Sequence, residues 1–538
     1  MLFIDNHGFT DSRINLAHAS ASRSRRRAPK CDVDARSRAF HETLAANFPA
    51  ALFHFDPRMA DGYYADRYFV LTARTIAHSG LNPVVTMQLF AKRAGILAGV
   101  YESIRMLQTQ LAMNHRTGAR YAIDDLVIDT LVDGDPVEPW EPVMHITGPY
   151  LAFAHLETDY LGVLARRTLI ATNVRRVIDA ARGKPVIFMG ARHDDWRVQT
   201  ADGFAAKIGG IASVSTDANG AWWGAGGVGT MPHSMIAAFG GDVVRATIAF
   251  THYCRDNQLN VNIVSLTDYH NDVIADSLAV ARAMRDTFGD GALWGVRIDT
   301  SERLIDRSMA ANAARYPDRQ LNGVAPELVV ALRDALDRNG FDYVRIGVSG
   351  GFHVRKIERF EATRIPVDFY GVGSSVLGHN NGDADGLENN FDFTADVVRV
   401  DGIAETKTGR EERGNARFVR LEYRLLKRLD SQSNENVQAT NRSEAFRSDS
   451  HDTEPPVVSY IGIGARRSAS ARHSQLIERM SRSAPQRQLQ HQLHLPRPVR
   501  SIPRRIKRIL APTTGTAGST RHCLTVRIRH RHRRDQSG

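Results

Sequence analysis

Tyr343-Val-Arg-Ile-Gly-Val-Ser349-Gly350-Gly351 and Val367-Asp-Phe-Tyr-Gly371-Val-Gly373-Ser374-Ser375 share one plan: a short apolar run, an end built of small residues, then a helix-like stretch. Three earlier runs, Pro185–Arg192, Asn260–Asp268 and Ala292–Asp299, have the same texture and close on polar residues. Strands that alternate with helical patterns under this punctuation imply a parallel sheet or barrel. In a barrel the strand C-termini open on one face, where chemistry sits. The fold class predicted from the strand runs is therefore α/β.

Outward from this block the texture changes. Leu126–Leu131, Val143–Ile146 and the later Val397–Val400 predict short strands, and the spacing over 86–111 predicts one or two helices, so the segment before the barrel is α+β. The chain has 538 residues, 42% of them hydrophobic and 24% charged, which suits a large packed core. No apolar run approaches the roughly 18–20 residues that span a bilayer. No apolar segment near the N-terminus resembles a secretory signal, and three scattered cysteines form neither a disulfide framework nor a metal motif. A cytoplasmic protein with no membrane association is expected.

The formal charge of +11 is unevenly placed. Residues 431–538 hold 20 Lys and Arg against 7 Asp and Glu, leaving 50 against 52 in the rest, so the body is nearly neutral. This stretch lacks any sustained period, and a disordered Arg-rich tail is expected over 429–538. It is either a nucleic-acid tail or an unselected extension; the second is preferred, and no nucleic-acid partner is expected. Residues 1–54, with the Arg23–Arg27 cluster, are expected to lie outside the fold as well.

If the strands close, their ends meet. Arg192, Asp268, Arg297 and Asp299 end three of the runs, and the Ser349-Gly350-Gly351 and Gly371-Val-Gly373-Ser374 turns end the other two. Small residues let backbone N–H groups approach a phosphate at a helix start. Two such turns on consecutive strands suit one phosphate, although each alone is also an ordinary tight turn. At Gly350 and Gly373 a Cβ is expected to intrude on the phosphate. Aspartates suit Mg²⁺ or sugar hydroxyls, or cap helices. An arginine offers a fork to a carboxylate. In Gly229-Thr-Met-Pro-His233-Ser234, His233 stands at a turn before a helix that Ser234 is expected to cap, either as a phosphate-handling group or as a turn residue. Arg166 and Arg167 are either surface ion pairs or neighbours of a polyphosphate. Trp222 and Trp223 belong to a mobile lid or to an anchored Gly-rich loop.

The ordered set Asp66-Arg-Tyr68-Phe, Phe188-Met-Gly-Ala-Arg192, Gly229-Thr-Met-Pro-His233-Ser234, Arg297-Ile-Asp299-Thr, Ser349-Gly350-Gly351 and Gly371-Val-Gly373-Ser374-Ser375 resembles the nicotinate phosphoribosyltransferase family, type II phosphoribosyltransferases. The resemblance runs from about Pro57 to Tyr423. It implies an irregular TIM-like α/β barrel over 155–385, an N-terminal α/β sandwich domain over 55–154, and a segment, 386–428, that returns to that domain. It implies transfer of phosphoribose from 5-phosphoribosyl-1-pyrophosphate to nicotinate, giving nicotinate mononucleotide and pyrophosphate, with Mg²⁺ and with ATP as co-substrate. By motif, His233 resembles a transiently phosphorylated histidine, beside Ser234. Arg192 resembles the carboxylate clamp, and Tyr68 resembles a ring that stacks on the pyridine from the partner of a homodimer with shared active sites. Ser349, Gly350, Gly351, Gly371, Gly373 and Ser374 resemble the 5-phosphate cradle. Asp268, Arg297 and Asp299 address ribose, pyrophosphate or Mg²⁺, with Asp299 as the metal contact.

One departure stands out: Arg297-Ile-Asp299-Thr300-Ser301-Glu302 replaces a common Arg-x-Asp-Ser-Gly-Asp. The alternatives are a quinolinate or a nicotinamide phosphoribosyltransferase, the latter kept open by Asp194 and Asp195 beside Arg192. A remoter one is a nucleic-acid-binding protein acting through the tail.

Overall fold

The computed structural model describes residues 33–48, 52–114 and 116–431. The expectations for 1–32 and for the Arg-rich stretch 432–538 lie outside the described residues. Residues 33–48 differ from the expected outlying extension. Helix Val33–Asn47 places Phe40 and Leu44 in the core, and Phe48 just beyond it is also buried. These residues recur every fourth position and so share one helix face. The fully buried Arg105 donates to the carbonyls of Leu44 and Phe48 and pairs with Asp430 at 2.8 Å, so both ends of the described chain close on one guanidinium.

The first domain is built on five strands: β1 (Val84–Ala91), β2 (Gly95–Ile96), β3 (Val127–Thr130), β4 (Pro136–Val137) and β5 (Pro142–Pro149). A parallel set follows, β6 (Val186–Phe188), β7 (Ser213–Val214), β8 (Val264–Leu266), β9 (Gly295–Ile298), β10 (Arg345–Val348) and β11 (Phe369–Val372). The last strands, β12 (Phe393–Val400), β13 (Ile403–Ala404) and β14 (Val419–Arg420), join the first domain in the antiparallel order β13-β12-β1-β5-β3-β14. The helical expectation for 86–111 fails in its first part. There β1 is a central strand between β5 and β12, buried at every position but its first. A strand covered on both faces loses its period of two and is hard to tell from a helix by pattern. The helix of this region is Val100–Gln110.

The parallel sheet has the order β7-β6-β11-β10-β9-β8, every pairing in it parallel. Taken as a ring, this is simple chain order with one seam, between β7 and β8. The irregular barrel is thus a curled half-barrel. The segment before His233 runs along the seam: Gly227 bridges Val214 in parallel, and Val228 donates to the Val214 carbonyl at 2.7 Å.

Helix Glu157–Ala180 is the spine between the two sheets. Its Tyr160, Leu164 and Leu169 belong to the core of the antiparallel sheet, and Ile170, Val174 and Val177 to the core of the half-barrel. Thr168 and Thr172 accept from the backbone of Ala98 and Ile96. Arg166 and Arg167 are ion pairs, Arg166 half-buried and Arg167 buried: Asp202 binds both, Glu102 takes Arg167, and Asp194 takes Arg166. Trp222 packs against Phe53 with centroids 4.7 Å apart, and the Trp223 indole donates to Asn219, which fits an anchored loop. Among the described residues no helix is long and apolar enough to cross a membrane.

Candidate active site

Because all six strands of the half-barrel run the same way, the residues just past their C-termini share one rim. Asp268 lies two residues past β8, Asp299 follows β9, Ser349-Gly350-Gly351 follows β10, and Gly373 follows β11. His233 begins helix His233–Ala238, whose N-cap is Pro232. Ser234 is therefore inside the first turn, exposed, and does not cap the helix as expected.

The His233 Nε2 lies 3.1 Å from Asp268 Oδ1; the aspartate is nearly fully buried and the imidazole is half-exposed. The hydrogen bond to Asp268 raises the histidine pKa above its ordinary value, burial opposes it, and Asp299 adds to it. A buried carboxylate on one ring nitrogen fixes orientation and favours the proton on that nitrogen. The opposite nitrogen, Nδ1, then carries the lone pair.

Next along the rim a chain of side chains links β9, the end of β10 and the segment before His233. Arg297 Nη1 donates to Ser349 Oγ at 2.8 Å and lies 3.4 Å from Asp299 Oδ2. Its Nε donates to Thr230 Oγ1 at 3.2 Å and its Nη2 to the Met231 carbonyl at 3.4 Å. Ser349 Oγ donates onward to Asp299 Oδ1 at 2.7 Å. Arg297 thus holds the segment that presents His233 and the loop that presents Gly350. An arginine with its donors occupied in this way acts as a brace.

The glycines divide into two kinds. Gly350 and Gly351 have φ of +83° and +66°, in the left-handed region where a side chain is strained. A Cβ on Gly351 would meet nothing within 4 Å, and one on Gly350 would meet Asp299 Oδ1 at 3.2 Å. Gly351 thus borders open space, and Gly350 faces the Asp299 carboxylate. Gly371 and Gly373 border protein: a Cβ at Gly371 would meet Met189 Sδ at 2.7 Å, and one at Gly373 would meet the Met189 carbonyl at 2.7 Å and His193 Nε2 at 2.8 Å. At Gly373 the expected intrusion of a Cβ on a phosphate becomes a clash with the backbone of the β6 loop. Ser374, half-buried, starts the short turn Ser374–Leu377 beside it.

Arg192 is exposed in the β6 loop and makes no ion pair among the described residues. Its acidic neighbours are engaged. Asp194 pairs with Arg166 at 2.6 Å and with His379 at 3.5 Å; burial opposes its ionisation, but those cations hold it below its ordinary value. Asp195 caps its own turn and pairs with Arg197 at 2.9 Å. His193 is held below its ordinary value by burial, then by the charges of Arg192 and His379.

Tyr68 is not brought to this rim. It is 60% exposed on helix Arg67–His78, tilted against Phe69, with Asp66 and Glu157 as charged neighbours. Three residues near the rim escaped the sequence reading: His193, His379 and Lys356. The two histidines flank Asp194 from loops far apart in sequence, and only the pairing of β6 with β11 brings them together. Lys356 stands in the first turn of helix Val354–Ala362, with Nζ 3.4 Å from the Gly350 carbonyl. A lysine two residues past a helix start carries no marker in sequence.

Among the described residues no group of three or more His, Cys, Asp or Glu side chains has the arrangement of a metal centre. Asp268 and Asp299 supply carboxylate oxygens singly, which fits a Mg²⁺ that keeps water and takes its other ligands from substrate phosphates.

Residues 66–168 match the family model described as the quinolinate phosphoribosyl transferase N-terminal domain. The nicotinate phosphoribosyltransferases pncB2 and pncB1 of Mycobacterium tuberculosis are 27% identical over 278 residues and 28% identical over 341. These alignments take in 51% and 59% of this chain, and 52% and 69% of the two relatives. The chain spans about half the length of the first of these curated relatives. The crystal structure of nicotinate-nucleotide pyrophosphorylase from Pyrococcus furiosus is similar with a TM-score of 0.54 and 26% identity, over 69% of this chain and 86% of that one. The half-barrel, the antiparallel domain and these likenesses agree: the chain is similar to the broad family of nicotinate and quinolinate phosphoribosyltransferases, the type II phosphoribosyltransferases.

Proposed function

We propose that this chain transfers the phosphoribosyl group of 5-phosphoribosyl-1-pyrophosphate to nicotinate, forming nicotinate mononucleotide and pyrophosphate for the synthesis of NAD. The observation that carries this reading is the state of charge around Arg192. It is an exposed guanidinium without an ion pair among the described residues, on the same rim as the Gly350–Gly351 turn, while Asp194 and Asp195 are held by Arg166, His379 and Arg197. A carboxylate is what such a fork binds; an amide substrate would call for an unpaired acid, and neither aspartate is unpaired.

In this reading the ring nitrogen of nicotinate attacks C1 of the ribose as the bond from C1 to pyrophosphate oxygen breaks. The nitrogen lone pair is already nucleophilic, so the site needs no general base. Its task is to hold the ring in line and to stabilise the leaving charge. Asp299 and Asp268 would hold Mg²⁺ together with the pyrophosphate, and the ion would offset the charge that develops there. Gly350 and Gly351 offer backbone N–H groups to the 5-phosphate. ATP enters through His233: with Asp268 on Nε2, the free Nδ1 would accept the γ-phosphoryl group and ADP would leave.

A quinolinate phosphoribosyltransferase is the second reading, favoured by the family model over 66–168 and by the name of the Pyrococcus furiosus protein. It needs cations for two carboxylates, and Arg166, which pairs with Asp194 of the same loop as Arg192, is already shared by two aspartates. The test is Arg192→Ala. Losing a charged contact costs about 2–3 kcal/mol, roughly 30–150-fold, and the loss is expected in the KM for nicotinate and not in that for phosphoribosyl pyrophosphate. Equal losses for both substrates would contradict it.

A further inference from the structure

Lys356 is a cation of the rim whose chemistry nothing above uses. It lies in the first turn of helix Val354–Ala362, which follows directly from the Ser349-Gly350-Gly351 turn through Phe352 and His353. Its ammonium lies over the Phe352 ring, with Nζ 4.2 Å from the ring centroid, and donates to the Gly350 carbonyl at 3.4 Å. The neighbouring Arg355 has a carboxylate on its own helix, Glu358 at 3.1 Å; Lys356 has none within ion-pair distance among the described residues. Burial, with the charge of Arg359 added, pushes its amine down to about 8, and Glu302, from the loop after β9, opposes that shift from a distance. An ammonium partly shielded from water, with no counter-ion among the described residues, is costly to keep. It is kept beside a left-handed Gly-Gly turn whose Gly351 opens on free space.

We propose that Lys356 is a further phosphate-binding residue, which turns its ammonium from the Gly350 carbonyl onto the 5-phosphate seated against the Ser349–Gly351 turn. The inference rests on the phosphoribosyl reading and deepens it by naming the cation of the 5-phosphate subsite. Two independent features carry it: the proximity of Nζ to the turn, and the missing carboxylate. An ammonium is a point charge that needs no fixed fork, which suits a tetrahedral phosphate on a flexible stem. The Phe352 ring face gives the ammonium a resting place without a ligand.

The experiment measures binding of 5-phosphoribosyl-1-pyrophosphate, ribose 5-phosphate and inorganic pyrophosphate to the full chain and to Lys356→Gln and Lys356→Arg, with melting temperatures taken for each. Expected for Lys356→Gln is a loss of about 10–100-fold for the two sugar phosphates, pyrophosphate affinity within twofold, and a raised KM for phosphoribosyl pyrophosphate with kcat little changed. Lys356→Arg keeps the charge and recovers most of the affinity even if Lys356→Gln folds poorly. Wild-type affinity for ribose 5-phosphate in Lys356→Gln overturns the inference and leaves the function standing. A wild-type chain that binds none of the three overturns both.

Discussion

Around His233 the surroundings predict more than the imidazole alone. Asp268 is buried and holds Nε2, so the ring is oriented before any ligand arrives. His233→Ala is expected to lose ATP hydrolysis and ATP stimulation while keeping slow ATP-independent transfer. Wild-type protein incubated with γ-labelled ATP is expected to carry acid-labile label on the peptide that contains His233, and label elsewhere would remove the residue from this role. Coupling of about 1–3 kcal/mol corresponds to a change of roughly 5–150-fold in substrate affinity. The glycines separate by what a Cβ would touch. Gly373→Ala drives a methyl against the Met189 carbonyl, so it is expected to lower the melting temperature. Gly351→Ala meets open space and costs about 1 kcal/mol of backbone strain, so its main effect is expected in phosphate binding. A Gly351→Ala variant that melts far lower yet binds phosphoribosyl pyrophosphate normally would make this glycine a turn residue.

Helix Glu157–Ala180 opens with a carboxyl that the fold does not welcome. Burial, then Asp396 and Asp66, push Glu157 up to about 8. Unfolded, the group titrates near 4.3. The folded state therefore binds the proton more tightly, and the stability this contributes is full below the unfolded pKa and lost as pH rises toward 8. Glu157→Gln is expected to be more stable than wild type at pH 8 by on the order of 2–4 kcal/mol, with a clearly smaller margin at pH 5, as read from denaturant midpoints. An equal margin at both values would point to packing instead of charge. At this scale the sequence was legible where pattern and punctuation agreed. The runs ending in Ser349-Gly-Gly and Gly371-Val-Gly are β10 and β11 with their turns, and the strand predicted over Ala292–Asp299 contains β9. It was not legible over 84–91, because a strand covered on both faces has no alternation to detect. Nor was it over 33–48, where an apolar stripe of Phe40, Leu44 and Phe48 lies beside an Arg-rich segment that suggested no fold at all. Leu44→Ala, at a position with no exposure, is expected to cost about 2–5 kcal/mol, which would not follow if the helix were ornamental.

For the molecule as a whole, the described core reaches Leu426 and the Arg105–Asp430 pair. Removing residues 432–538 is expected to leave transfer activity within about twofold, a range that corresponds to roughly 0.4 kcal/mol. Loss of activity on truncation would give the Arg-rich stretch a role that this account denies it. Tyr68, exposed and away from the rim of its own chain, fits a residue that serves the partner of a two-fold dimer. Mixing inactive Tyr68→Ala with inactive His233→Ala subunits is expected to restore activity in hybrids that regain one complete site. Substrate choice was legible only in part, because whether Asp194 and Asp195 are available depends on Arg166, His379 and Arg197, and two of those partners, Arg166 and His379, come from elements remote in sequence. The measurement that bears most directly on the central claim is a product assay on the full chain with phosphoribosyl pyrophosphate and Mg²⁺. Nicotinate, nicotinamide and quinolinate are each supplied with and without ATP. The account predicts nicotinate mononucleotide and pyrophosphate from nicotinate, faster with ATP, and little product from the other two. Nicotinate mononucleotide and carbon dioxide from quinolinate, with nicotinate inert and ATP without effect, would contradict it.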